Sequence, residues 1–159
     1  MSNQAVILTV SDSCAAGTRT DTSGPAIRAM LENAGFAVQA MQTVPDEEGQ
    51  ISAAIVHACD ILQADLVVTT GGTGLSPRDV TPEATLAVLD REIRAIPVAM
   101  WVEGLKSTPR AMLSRAVAGI RGHTLVLNVP GSEKAARENL RAVVATLDPA
   151  LRMLAGGGH

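Results

Sequence analysis

One stretch of the chain gathers residue types that handle phosphate. The apolar Leu66, Val67 and Val68 lead into Thr69-Thr-Gly-Gly-Thr-Gly74, and Arg78 and Asp79 follow just before Thr81 and Pro82. Gly71, Gly72 and Gly74, with Thr73 among them, carry no side chain to keep a ligand from the backbone N–H groups, and Arg78 and Asp79 add a counter-charge and a carboxylate. Three further polar segments have similar chemistry: Ser11-Asp12-Ser13 with Asp21, Ser23 and Gly24, then Pro45-Asp46-Glu47, then Pro130-Gly131-Ser132. Carboxylates beside amide donors repel a bare phosphate. A Mg²⁺ ion held by Asp46 and Asp79 would remove that conflict by neutralising phosphate oxygens, so a Mg-nucleotide site is the chemical hypothesis. It is not a P-loop site, because Leu75 stands where Lys-Ser/Thr would be required, and the dinucleotide-binding G-x-G-x-x-G pattern is absent.

Each segment also has a plain structural reading. The glycines allow tight packing of a turn, Asp46 and Ser132 suit helix N-caps, and Ser11 to Ser13 suits a polar turn. Asp79 is harder to explain this way, since it stands two residues ahead of Thr81, the expected cap. Four polar turns on one edge of a sheet would ask for a common ligand.

The elements that must position these segments alternate. Ala5 to Val10 reads as a strand, Pro25 to Ala34 as a helix stopped by Gly35, and Phe36 to Val44 as a second strand. A helix opens at Pro45 and Asp46 and runs to about Gln63, with Ile51, Ile55 and Cys59 on one buried face, before the strand Leu66 to Val68. This β-α-β-α-β order implies a parallel sheet with helices on both faces, whose ligands sit at the strand exits. Further on, Pro82 to Leu89 and Val98 to Leu105 read as helices. Val117 to Ile120 and Thr124 to Val129 flank Arg121-Gly-His123 as a hairpin, which requires at least one antiparallel strand. A helix from about Glu133 to Thr146 and a short one near Pro149 to Leu154 complete the chain. The fold class is α/β, one domain over 1–155 with 156–159, including His159, as a tail.

Composition narrows the partners. Only 1% of the 159 residues are aromatic and the net charge is near −3, which argues against single-stranded nucleic acid and against any nucleic-acid backbone. Cys14 and Cys59 lack a paired spacing, and the N-terminus lacks the features of a signal peptide, so a reducing cytoplasmic setting is expected. His57, His123 and His159 have no partners at metal-ligand spacing, and no apolar run is long enough for a membrane span.

The motifs Val6-Ile-Leu-Thr-Val-Ser-Asp-Ser13, Val44-Pro-Asp-Glu47, Thr69 to Gly74 with Pro77-Arg-Asp-Val-Thr-Pro-Glu-Ala-Thr85, Met112-Leu-Ser-Arg115, Gly119-Ile-Arg-Gly122 and Asn128-Val-Pro-Gly-Ser132 together resemble the MogA/MoaB family of molybdopterin-binding proteins, which includes the G domain of gephyrin. The resemblance runs in order from about residue 5 to 154. It implies a three-layer α/β/α fold that forms homotrimers, and adenylyl transfer from Mg-ATP to the molybdopterin phosphate with release of pyrophosphate. It places the two required aspartates at Asp46 and Asp79. It assigns the shared pocket to Ser11, Asp12, Ser13, Asp21, Ser23 and Gly71 to Gly74. It also assigns the pterin phosphate to Gly131 and Ser132, with Arg78 either in the pocket or pairing with acidic neighbours, the pocket being preferred. A molybdenum-insertion protein would be the protein partner. A non-catalytic molybdopterin carrier is the alternative, and a gephyrin-like scaffold is disfavoured by the lack of a linker. The segment Arg91-Glu-Ile-Arg-Ala95 departs from the family's Pro-Gly and leaves the path into Ile96 open.

Overall fold

A computed structural model describes residues 2–157. Strand β1 (Gln4–Val10) is followed by a one-turn helix α1 (Asp12–Ala15), helix α2 (Ser23–Asn33), strand β2 (Ala37–Val44), helix α3 (Glu48–Val56) and strand β3 (Leu66–Thr70). The second half holds α4 (Thr81–Leu86), β4 (Arg91–Glu92), α5 (Ala95–Leu105), β5 (Ala118–Arg121), β6 (Thr124–Val129) and α6 (Glu133–Leu154). The strands form a six-stranded sheet in the order β2-β1-β3-β6-β5-β4. The pairs β1 with β2, β1 with β3 and β3 with β6 are parallel, whereas β5 runs antiparallel to both β6 and β4. The expected mixed α/β architecture is therefore present.

The period-2 alternation of strand side chains divides the interior into two cores. Ala5 and Ile7 of β1 and Leu66 and Val68 of β3 face Ile27 and Leu31 of α2, Met100 of α5 and the inner stripe of α6. Val6, Leu8, Val10 and Val67 face the other way, against Ile51 and Ile55 of α3, Cys59 and Ala84 of α4. Three layers result, and β3 is buried on both faces, as its continuous apolar run requires. Burial pushes the Cys59 thiol up to about 11, so it packs as a hydrophobe. His57 and His123 are exposed. The reading of His159 as tail concerns a residue outside those described.

Several element boundaries differ from expectation. The segment after α3 does not continue as α-helix: it widens into a π-type turn over His57–Ile61 and ends at Leu62. Gln63 then takes a positive φ of 54°. Arg91 and Glu92, in the segment whose path was open, add a short edge strand to β5, and α5 begins at Ala95 with Pro97 in its first turn. The C-terminal helix is continuous through Pro149. Its buried stripe Ala136, Leu140, Val143, Leu147 and Leu151 keeps helical spacing on both sides of the proline. Each large member contributes about 1.5–3 kcal/mol of burial, enough to outweigh one lost hydrogen bond on the outer face.

Candidate active site

The sheet order puts the four parallel strands side by side, so the loops leaving β1, β2, β3 and β6 meet at one edge. There they line a cleft of about 1020 Å³, closed on its other side by α5, the 3-10 turn Pro109–Leu113 and the first turns of α6. Hydrogen bonds between strand exits build its floor. Gly71 N donates to Val129 O, Thr70 Oγ1 to Pro130 O at 2.7 Å, and Ser23 Oγ to Gly131 O. Beneath them Asn128 is buried with its amide satisfied: it accepts from Val117 N and donates to Thr69 Oγ1 and Thr85 Oγ1. A satisfied buried network of this kind holds its strands in one arrangement.

The glycine turn is shaped by protein neighbours as much as by a ligand. Gly71 (φ 103°) and Gly72 (φ 69°) take backbone conformations that side chains disfavour, and a methyl group would strike the Val10 carbonyl at the first and Thr81 Oγ1 at the second. Thr81 is the first residue of α4 and makes no cap. Its Oγ1 donates to Gly71 O at 2.9 Å and its N to Gly72 O, so it pins the turn to the helix. Arg115 closes the other end, donating to Gly74 O at 2.8 Å, to Asp79 O at 2.7 Å and to Glu83. Arg115 thus clamps the loop, its own N–H donating to Thr73 O as well.

Asp46 and Asp79 flank this turn. A Cβ at Gly72 would lie 3.1 Å from Asp46 Oδ1, and one at Gly74 would lie 2.9 Å from Asp79 Oδ2. Asp79 accepts from Ser76 N at 3.0 Å. Asp46 is not the cap of α3, whose cap position is Glu47. Instead it accepts from Asp12 N at 2.9 Å, while Asp12 accepts from Asp46 N at 3.0 Å. Arg78 grips both Asp12 oxygens at 3.0 Å and reaches Glu47 at 2.9 Å, cross-linking three loops. The carboxyls of Asp12 and Asp46 shift oppositely. Hydrogen bonds from Arg78 hold Asp12 below the ordinary carboxylate range, whereas burial pushes Asp46 above it, and the charges of Asp12 and Asp79 push the same way. Among the described residues no group of three or more His, Cys, Asp or Glu side chains could hold a metal alone. Two carboxylate donors fit a small hard cation that takes its remaining ligands from water and substrate phosphates, as Mg²⁺ does.

The family described as "Probable molybdopterin binding domain" matches residues 6–152. The chain belongs to that family. It is 40% identical over 149 residues to the molybdenum cofactor synthesis protein cinnamon of Drosophila melanogaster, covering 93% of this chain and 25% of cinnamon. To the molybdopterin adenylyltransferase of Helicobacter pylori J99 it is 38% identical over 154 residues, covering 94% of this chain and 86% of that enzyme. The chain thus spans about a quarter of the first relative and most of the second. The solved structure of the molybdopterin biosynthesis enzyme MoaB from Thermus thermophilus superposes with a TM-score of 0.92 at 49% identity, covering 97% of each chain.

In this molybdopterin-binding domain the cleft brings together Ser11, Asp21, Ser23, Asp46, Gly71, Gly72, Thr73, Gly74, Asp79, Gly131 and Ser132. Ser13 bonds Ser11 Oγ from behind, and Asp12 and Arg78 do not line the cleft but pair with each other at its rim. Of the two expectations for Arg78, the geometry favours pairing with acidic neighbours, since Asp12 and Glu47 engage its guanidinium. Asp21 accepts from Thr9 Oγ1 and Gly24 N and so orients the start of α2. Ser132 caps α6 through Ala135 N.

Arg19, Trp101, Arg110 and Asn139 also line the cleft and were not found by sequence reasoning. Arg19 stands in the loop before Asp21 and could have been suspected there. The other three reach the cleft only through the way α5, the 3-10 turn and α6 fold together. Trp101 Nε1 is buried and donates to no acceptor among the described residues, which leaves about 1–3 kcal/mol of unmet hydrogen bonding in the cleft wall.

Proposed function

We propose that this chain is a molybdopterin adenylyltransferase of molybdenum cofactor biosynthesis, joining AMP from ATP to the molybdopterin phosphate and releasing pyrophosphate. The observation that carries this reading is the pair Asp46 and Asp79, held by separate loops on either side of the glycine turn in a cleft roomy enough for two substrates. The similarity to enzymes of that name over most of their length supports it. A phosphate oxygen of the pterin attacks the α-phosphorus of ATP, and pyrophosphate leaves. The protein aligns two anions and offsets charge on the transferring group, and it needs no side-chain nucleophile. The glycine turn and the N-terminus of α6, with Gly131 and Ser132, offer backbone N–H groups to phosphate oxygens. Bound between Asp46 and Asp79, Mg²⁺ would supply charge neutralisation at the reacting phosphates. Arg78 holds Asp12 and Asp46 in register, and Arg115 holds the loop that carries Asp79.

The finer parts of the reading are a homotrimer, a cytoplasmic setting and delivery of the product to a molybdenum-insertion protein. Exposed Val98, Val102 and Leu105 on α5 support self-association. No described helix is long and apolar enough to cross a membrane. The test is incubation with molybdopterin and Mg-ATP. Pyrophosphate release in proportion to adenylylated pterin is expected, whereas pterin binding without pyrophosphate would make the protein a carrier.

A further inference from the structure

The charge inventory of the cleft leaves two arginines without a task. Four carboxylates line it, Asp21, Asp46, Asp79 and Glu138, and the only cations among its described lining residues are Arg19 and Arg110. Unlike Arg78 and Arg115, which are tied to carboxylates, neither forms an ion pair or a side-chain hydrogen bond with another described residue. Both are nevertheless anchored through their backbones: Arg19 N donates to Ser13 O, and Arg110 N to Thr108 Oγ1 at 3.2 Å. Asp21 accepts from Thr9 Oγ1 and Gly24 N, and Glu138 from Ser107 Oγ, and neither carboxylate forms an ion pair with Arg19 or Arg110. On the wall that carries Arg110, the unpartnered Nε1 of Trp101 is a second donor without a protein acceptor. A guanidinium with all its donors free is suited to bidentate contact with phosphate.

Resting on the adenylyl-transfer reading, the demand can be stated. A triphosphate and a phosphomonoester of roughly −1.5 to −2 charge meet in one cleft whose own metal-binding groups are anionic, and one divalent cation does not balance them. We propose that Arg19 and Arg110 are phosphate-binding residues that hold anionic oxygens of the substrates and provide the counter-charge that the divalent cation leaves unmet.

Trp101 is the chain's one tryptophan and lines the same cleft, so its fluorescence reports binding without turnover. Wild type, R19Q, R110Q and the control R141Q, an exposed arginine of α6 outside the cleft, are titrated with ATP and with inorganic tripolyphosphate. The expected result is a midpoint at least tenfold higher for R19Q and R110Q, unchanged for R141Q, and partly restored by lysine at position 19 or 110. Wild-type midpoints in both cleft variants would overturn the proposal, as would a wild type that binds neither ligand. Arginine-dependent binding in a protein that releases no pyrophosphate supports this inference and removes the enzymatic reading. Pyrophosphate release with insensitive R19Q and R110Q does the reverse.

Discussion

The two walls of the cleft are built on different principles. On the side of the parallel strand exits, most polar groups other than Arg19 are bound to one another: the carboxylates of Asp12 and Asp46 each accept from the other's backbone N–H, Arg78 joins three loops, and Thr81 and Arg115 pin the glycine turn. On the side of α5 and the 3-10 turn, Arg110 has no side-chain partner and Trp101 Nε1 no acceptor among the described residues. Groups that stabilise charge in a transition state must already be in place when it forms, because reorganising them then would cost the rate they provide. Groups that capture a substrate can order on contact. The contrast separates a wall whose groups are mostly fixed in advance from one whose donors are left open to a substrate.

The largest expected effect comes from breaking the organised wall at its chemical group. Asp79→Asn should lower pyrophosphate release by about a hundredfold or more, with the thermal midpoint little changed, as lost transition-state electrostatics do. Normal turnover in that variant would remove the assigned role. Next in size is the scaffold of the same wall. Gly71→Ala forces a side chain into a positive-φ position and against the Val10 carbonyl, and should cost about 1–3 kcal/mol or more in urea unfolding. A variant as stable as wild type would show that the turn is not held by its neighbours.

The smallest effect sharpens the difference between the carboxyls of Asp12 and Asp46. Asp46 has a raised pKa, so its favourable contribution to folding is present below its ordinary value and is lost as pH rises through the folded value. Asp46→Asn should therefore be slightly more stable than wild type at neutral pH, with the difference closing below about pH 4, while activity falls. Asp12 is lowered by Arg78, so its contribution is present above the ordinary value and is lost on acidification. Asp12→Asn should be the less stable variant at neutral pH. Thermal melts of both across that range check the signs, and shifts in the same direction would contradict the assigned environments.

Much of the organised wall was legible before any coordinates. The apolar runs, the period-2 and helical spacings and the glycine-rich turn are local signals, and once four strands are parallel neighbours their exits must converge. Asp79 stood out because capping did not explain it. Local rules misplaced Thr81 and Asp46 as caps, because each side chain spends its hydrogen bond on a distant partner, Gly71 O for the first and Asp12 N for the second. They split α6 at Pro149 because a proline signal is local, whereas the stripe that carries the helix through it is packed against the sheet.

By itself, the sequence determined the alternating α/β architecture, the two-faced burial of β3, and the set of polar turns that could meet a phosphate. These depend on neighbours in the chain and on periodicity. Only the tertiary structure decided that Arg78 is bound at the rim while Arg19 and Arg110 have no side-chain partner among the described residues, and that the pKa values of Asp12 and Asp46 shift in opposite directions. Ion pairing and desolvation depend on which groups meet across separate loops, and residue types carry no record of that distance.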